Sequence, residues 1–316
     1  MPEKSKYLIE KNIKGLWNHE PYVKKYKNAK YTNKNPELSH MLNRLKTVNK
    51  LLKQNLSKNS NILELGFGAG QSSSLFLREG YKYTGMDISK SLVNFAKLKN
   101  RKFVKKKNAS FNVGSMDKGL KFKSKQYDAV VIIGALQYVM NLNGCMKEIK
   151  RVLKKEGILI LAQSNSFAIM DIVDPRKFIR FLVRVFFKEE FMYSYSTTLK
   201  SIILENKGLK KILGIKGNEK WLNSKFFTNG DYTPWNFKGR RRILAYDRIK
   251  KILKRHNFNI ISYDYGGVFF YRKKNLYLNI FFQIMNILLN GLHKLKIFNF
   301  ILNRIGSSNI FVLKKN

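Results

Sequence analysis

Asn61-Ile62-Leu63-Glu64-Leu65-Gly66-Phe67-Gly68-Ala69-Gly70 is the stretch on which the fold of this chain turns. Its first five residues read as a short buried strand, its glycines as a loop, and residues 72–78 as a helix that Gly80 ends. Glycine has no side chain and tolerates positive φ, so the backbone can turn sharply there and a ligand can approach it closely. A helix that begins just after such a loop offers unsatisfied N–H groups to polar ligand atoms. Residues 81–86 predict a second strand that finishes at Asp87. Neighbouring strand ends lie side by side in a parallel sheet, so residues 66–70 and Asp87 should converge at one edge, with Asp87 placed to accept from ribose hydroxyls.

Two nucleoside cofactors compete for such a loop. A dinucleotide fingerprint is Gly-x-Gly-x-x-Gly. Here the third glycine comes one residue early, and Gln71 stands where that motif would have glycine. The acidic Glu64 also sits poorly beside a pyrophosphate, and it suits a cationic neighbour such as the ammonium of an amino-acid moiety.

Outward from the loop, Leu38, Met41, Leu42, Leu45, Val48, Leu51 and Leu52 recur at spacings of three and four, the pattern of an amphipathic helix leading into the first strand. On the other side, Ser89 should cap a helix over 92–99. Residues 111–114 predict a third strand. Residues 127–133 predict a fourth, whose run of Val and Ile suits a parallel sheet buried on both faces. A helix over 143–154, a turn at Gly157 and a fifth strand over 158–162 follow. Strands alternating with helices in this way predict an α/β fold with a doubly wound sheet.

The alternation breaks near residue 165. A helical patch at 178–187 and an aromatic, loop-like stretch at 225–242 are succeeded by a helix over 246–257 and a strand over 258–265. A long apolar segment over 276–302 and a final strand over 309–314 complete the pattern. The expected organisation is an N-terminal helical segment (1–58), a core (59–164 and 244–316) and a substrate-side cap insertion (165–243).

The formal charge is +42 and 44% of the residues are apolar, enough to build a packed core. Such a charge attracts polyanions, nucleic acid or an anionic membrane surface. It is mostly lysine and spread along the chain, which coding bias would also give. The single cysteine, Cys145, rules out an intrachain disulfide or a Cys-based zinc site, and no cluster has metal-ligand spacing, so no metal is expected. Polar residues interrupt 276–302 at Asn279, Gln283, Asn286, Asn290, His293, Lys294 and Lys296, so a spanning helix is not expected. The segment is expected to pack on the sheet. The alternative is that it lies at the surface of an anionic membrane. A cytoplasmic location follows, with peripheral placement at the inner face of the membrane under that alternative.

The motifs together resemble those of class I, Rossmann-like S-adenosylmethionine-dependent methyltransferases, with a type 11-like core. Ile62-Leu63-Glu64-Leu65-Gly66-Phe67-Gly68-Ala69-Gly70 is similar to the first motif, and Thr84-Gly85-Met86-Asp87-Ile88-Ser89 to the ribose-binding strand end. Asn112-Val113-Gly114-Ser115-Met116-Asp117 resembles the adenine-contacting segment. Residues 127–136 resemble the fourth-strand motif, and residues 146–160 the helix and strand after it. The resemblance implies a seven-stranded, mostly parallel sheet with an antiparallel last strand, N-terminal helices over the cofactor, and a cap between strands 5 and 6. It implies S-adenosylmethionine as cofactor, with Glu64 near the methionine ammonium, and Gly66, Gly68 and Gly70 beneath methionine and ribose. Asp87 would take the ribose hydroxyls, Ile88 and Met116 would flank adenine, and Asp117 would bind its amino group. Phe67, Gly134 and Leu136 would complete the lining.

The chemistry is an in-line displacement in which the protein chiefly positions the acceptor. Many relatives place a histidine after the fourth strand, where this chain has Ala135-Leu136-Gln137-Tyr138-Val139, so the general base is unassigned. His40, His19 and Tyr138 are the candidates. His256, at a helix end, and His293, in the apolar segment, read as structural. The Asn/Asp-Pro-Pro-aromatic motif of amino-methylating nucleic-acid enzymes is absent, which disfavours a nucleic-acid acceptor, although the loop 232–237 could stack a base or sugar. The layout favours O- or C-methylation of a small molecule: a sugar, a lipid-linked precursor or a quinone-like ring. A nucleic-acid methyltransferase and a non-catalytic cofactor-binding protein are the alternatives, and the oligomeric state is open.

Overall fold

The computed structural model describes residues 11, 13–15, 17–28, 36–165, 191–193, 207–212, 214–215, 240–242, 244–266, 276–295 and 299–315. The expected helical patch at 178–187, the aromatic loop 232–237 and most of the expected cap lie outside them.

Seven strands form one sheet: β1 (Asn61–Leu65), β2 (Lys82–Asp87), β3 (Ala109–Val113), β4 (Tyr127–Ile133), β5 (Leu153–Ser164), β8 (Phe258–Asp264) and β9 (Ser308–Lys315). Their order is β3-β2-β1-β4-β5-β9-β8. Strands β1 to β5 pair in parallel, whereas β9 runs antiparallel to both β5 and β8. The chain winds outward from β1 through β2 to β3, then returns to place β4 on the other side of β1. The carboxyl ends of β1 and β4 therefore flank a topological switch point, where open α/β sheets bind ligands.

Strand alternation sends successive side chains to opposite faces, and both faces are packed. Leu63, Leu65, Val130, Ile132, Leu159, Leu161, Phe311 and Leu313 build one core. It includes Cys145, Met146 and Ile149 of helix α6 (Leu142–Val152), and Ile249 and Leu253 of helix α8 (Tyr246–Arg255). Ile62, Val131, Ile160, Ala162, Ile310 and Val312 build the other. This second core packs Leu45, Val48 and Leu52 of helix α2 (Pro36–Asn55) and Phe76 and Leu77 of helix α3 (Gln71–Arg78). Burial on both faces is why β4, after Asp128, reads as a continuous apolar run rather than an alternating one.

Helix α4 (Lys90–Lys99) starts as expected: Ser89 is its N-cap, accepting from the Leu92 N–H. One boundary differs. Helix α6 ends at Val152 and β5 begins at once with Leu153, so Gly157 lies inside an extended strand. Leu153 pairs with Tyr127 before the register shifts, and this extra ladder pulls the chain out of the helix earlier than its apolar spacing predicts. Five further helices are described: α1 (Glu20–Lys27), α5 (Arg101–Lys105), α7 (Lys207–Ile212), α9 (Leu276–Lys294) and α10 (Asn299–Ile305).

By contact density the chain falls into two compact units, Trp17–Ala168 with Leu244–Asn316, and Met1–Leu16 with Ile169–Ile243. The sheet belongs to the first. In the second, the short strands β6 (Phe191–Tyr193) and β7 (Arg240–Arg242) pair antiparallel.

Candidate cofactor site

The loop after β1 turns on three glycines with positive φ: 74° at Gly66, 59° at Gly68 and 71° at Gly70. Two of them are also hemmed in. A Cβ on Gly66 would collide with the Ala135 side chain, and one on Gly70 would stand 2.8 Å from Ser73 Oγ and 2.9 Å from Ala96 Cβ. Gly68 is different, because a Cβ there would meet no described heavy atom within 4 Å. The middle of the loop thus faces open space at the strand edge.

Asp87 ends β2 beside it. Its Oδ2 accepts from the Gly68 N–H at 2.9 Å and its Oδ1 from the Ser89 N–H at 2.9 Å. Burial outweighs these bonds and pushes its pKa up to about 6. Glu64 is deeper still, 1% exposed. Both its oxygens take the Ser72 hydroxyl, at 2.7 and 2.8 Å, and Oε2 also accepts from Tyr83 at 2.8 Å. Burial again dominates and holds its pKa near 7, with Asp87 adding repulsion. Two buried carboxylates one strand apart make this edge of the sheet receptive to a cation and to hydroxyl donors.

The remaining predicted residues gather round the same edge to differing degrees. Met116 is half-buried, its methyl 3.8 Å from where a Gly66 Cβ would stand. Ile88 is half-buried after Asp87. Phe67 turns inward onto Phe111, with ring centroids 5.4 Å apart. Leu136 is fully buried. Asp117 Oδ1 accepts from the Asn141 N–H at 2.6 Å, bracing the turn into α6.

Of the candidate bases, Tyr138 is half-buried just past β4, with Trp17 edge-on at 5.8 Å. The Trp17 carbonyl accepts from Ser89 Oγ at 2.7 Å, which ties the N-terminal segment carrying His19 to the residue two past Asp87. His40 falls on α2, its side chain outside the described residues. His256 meets Asn143, and His293 meets Asn303 with its ring against Tyr265. Among the described residues, no group of three His, Cys, Asp or Glu could hold a metal ion.

One residue escaped the sequence reading. Arg44 is 4% exposed, and it donates to Ser164 Oγ at 2.9 Å and to Ser308 Oγ at 3.2 Å. A Cβ on Gly134 would stand 3.5 Å from its Nη1, so the guanidinium lies at the carboxyl end of β4. The signal was in the spacing: Arg44 precedes Val48 and Leu52, both fully buried, at intervals of four on one helix face.

The methyltransferase-domain family matches residues 63–161. A demethylmenaquinone methyltransferase of Tropheryma whipplei (strain Twist) is 28% identical over 127 residues, 40% of this chain and 48% of that protein. A ubiquinone biosynthesis O-methyltransferase of Pelagibacter ubique (strain HTCC1062) is 32% identical over 108 residues, 34% of this chain and 43% of that protein. The chain thus spans about half the length, or less, of these two relatives. Among solved structures, the PH0226 protein of Pyrococcus horikoshii OT3 aligns over 90% of this chain and 95% of its own, with 17% identity and a TM-score of 0.49. Residues 63–161 thus match a methyltransferase domain, and the sheet order and switch point around them suit a nucleoside cofactor.

Proposed function

We propose that this protein transfers a methyl group from S-adenosylmethionine to the oxygen or carbon of a small-molecule acceptor, with a quinone-like ring as the favoured class. The observation that carries the reading is the pairing of Asp87 with Gly68, a buried carboxylate held by a loop N–H beside open space at the switch point. That arrangement fits a ribose, whose hydroxyls need an acceptor within reach of a backbone that no side chain shields. The acceptor class rests on the names of the two relatives, one acting on demethylmenaquinone and one in ubiquinone biosynthesis.

The cofactor, when bound, supplies a methyl group on a positively charged sulfur that departs as a neutral thioether. The chain's own residues then have three tasks. Asp87 accepts from the ribose hydroxyls, its own orientation fixed by Gly68 and Ser89. Glu64 and Arg44 supply opposite charges for the ammonium and carboxylate of the amino-acid moiety, with Gly66, Gly70 and Gly134 giving the backbone room. Ile88 and Met116 form the apolar surround, with the buried Phe67 and Leu136 packing the loops that carry the site, and Asp117 accepts from the adenine amino group. On the acceptor side, Tyr138 lies just past the end of β4, steadied by Trp17, and it is our choice for the group that accepts a hydrogen bond from the acceptor and orients it.

The test is incubation of the purified protein with radiolabelled S-adenosylmethionine and separate lipid and aqueous extracts, followed by mass identification of the labelled product. Label in a small molecule of the lipid fraction is expected. Label only in RNA would transfer the protein to the nucleic-acid class, and no label in any fraction, with cofactor binding intact, would make it a binding protein without catalysis.

A further inference from the structure

Helix α9 is amphipathic in the wrong sense for a helix that packs on a core. Around its axis, Ile284, Ile287, Leu288 and Gly291 fall within one arc of about 120°, and Leu295 continues it in the next turn. All five are exposed: Ile284 by 51%, Ile287 by 69%, Leu288 by 57% and Leu295 by 70%, with Gly291 in the same class. Away from this stripe Met285, Leu289 and His293 are half-buried, and two polar side chains tie the helix to the domain. Asn290 Oδ1 accepts from the Tyr265 hydroxyl at 2.8 Å, and His293 Nε2 meets Asn303 Oδ1 at 3.0 Å while its ring lies against Tyr265. Two of the residues that break the apolar run in sequence, Asn290 and His293, therefore tie the helix to the domain. The exposed stripe departs from the expectation that this segment packs on the sheet, which, among the described residues of 276–302, Leu302 alone meets by its burial.

A stripe of branched aliphatic side chains in water loses the burial free energy that such residues normally contribute, so something should cover it. Charge selects the occupant. From residue 265 to 316 the chain has no Asp or Glu, while Arg272, Lys273, Lys274, Lys294, Lys296, Arg304, Lys314 and Lys315 carry positive charge. A second copy laid on the same stripe would bring two such segments together and repel. An anionic lipid surface would be attracted to the lysines and would take the aliphatic stripe into its acyl boundary. Insertion across the bilayer is not the mode, because no described helix is long and apolar enough to cross a membrane.

We infer that α9 is an interfacial anchor, laying Ile284, Ile287, Leu288 and Leu295 into the outer layer of an anionic bilayer while its Asn290 and His293 side stays on the domain. The proposal stands on the helix and its surroundings, and does not depend on the methyl donor or acceptor.

The experiment is flotation of the full chain with vesicles of phosphatidylcholine alone and of phosphatidylcholine mixed with phosphatidylglycerol. The variant is Ile287→Gln with Leu288→Gln, which keeps the charge and the helix propensity and removes no packing, since both side chains are exposed. The expected result is binding to the anionic vesicles only, with the double variant weaker by about tenfold or more at equal thermal stability. Equal flotation of variant and parent would mean that charge alone draws the protein, and would overturn the anchor. Failure of the parent to float would overturn it too. So would a dimer that the substitutions convert to monomer without any vesicle binding, since the stripe would then belong to a second copy.

Discussion

Gly66 and Gly68 adopt nearly the same left-handed backbone but answer different demands, and alanine separates them. Gly66→Ala adds backbone strain to a collision with Ala135, and should cost about 3 kcal/mol or more in urea unfolding. Gly68→Ala carries only the strain, about 1 kcal/mol, yet puts a methyl group into the open space of the loop and should abolish cofactor binding by calorimetry. A neighbouring residue gives the complementary test. Asp87→Asn keeps the shape and removes the charge, and should weaken S-adenosylmethionine about tenfold to a hundredfold. Unchanged affinity would remove Asp87 from the ribose site. Both glycines and Asp87 were legible in sequence because conformational freedom and strand-end acids leave local marks. Arg44 was not, because a cation amid leucines looks like a solvated residue until the strands that receive it are in place.

At the scale of elements, α2 is joined to the sheet by packing of Leu45, Val48 and Leu52 and by the Arg44 bonds to β5 and β9. Arg44→Met preserves much of the packing and takes the partner from Ser308, which is 2% exposed. The expected loss is about 2 kcal/mol of stability in chemical denaturation, accompanied by weaker cofactor binding. Retained affinity would confine Arg44 to a structural role. The sequence predicted the strands well, since two-sided burial writes an apolar run that no helix of that length shares. It misplaced the α6–β5 boundary because the pairing of Leu153 with Tyr127 is decided between elements, not within one. It also misjudged α9, where hydropathy reports how apolar a helix is but not which arc the domain receives.

For the whole molecule, the buried acids set a dependence on pH. Glu64 moves from an ordinary value of 4.5 to about 7 and Asp87 from 3.8 to about 6 on folding. Between those limits the folded chain holds protons that the unfolded chain has released, so stability from these two groups falls as pH rises from about 4 to 7. Glu148, held near 2 chiefly by Arg151, acts oppositely, and its contribution is lost as pH falls below about 4. Thermal melts from pH 4.5 to 8 isolate the first effect by difference. Glu64→Gln should flatten the decline seen in the parent, and an unchanged profile would show that Glu64 is ionised throughout. A bound ammonium would favour the ionised form, so cofactor affinity should climb over the same interval in which the empty protein weakens.

The position of β9 has a consequence for biosynthesis. It is the last of the seven strands to be made, yet it lies between β5 and β8 in the finished sheet. While the ribosome is still reading residues 165–307, β5 presents a bare hydrogen-bonding edge with apolar flanks, a template for any other strand nearby. The nascent protein must therefore shield that edge or wait, and a ribosome stalled before residue 308 should release chains that aggregate rather than chains that fold in part.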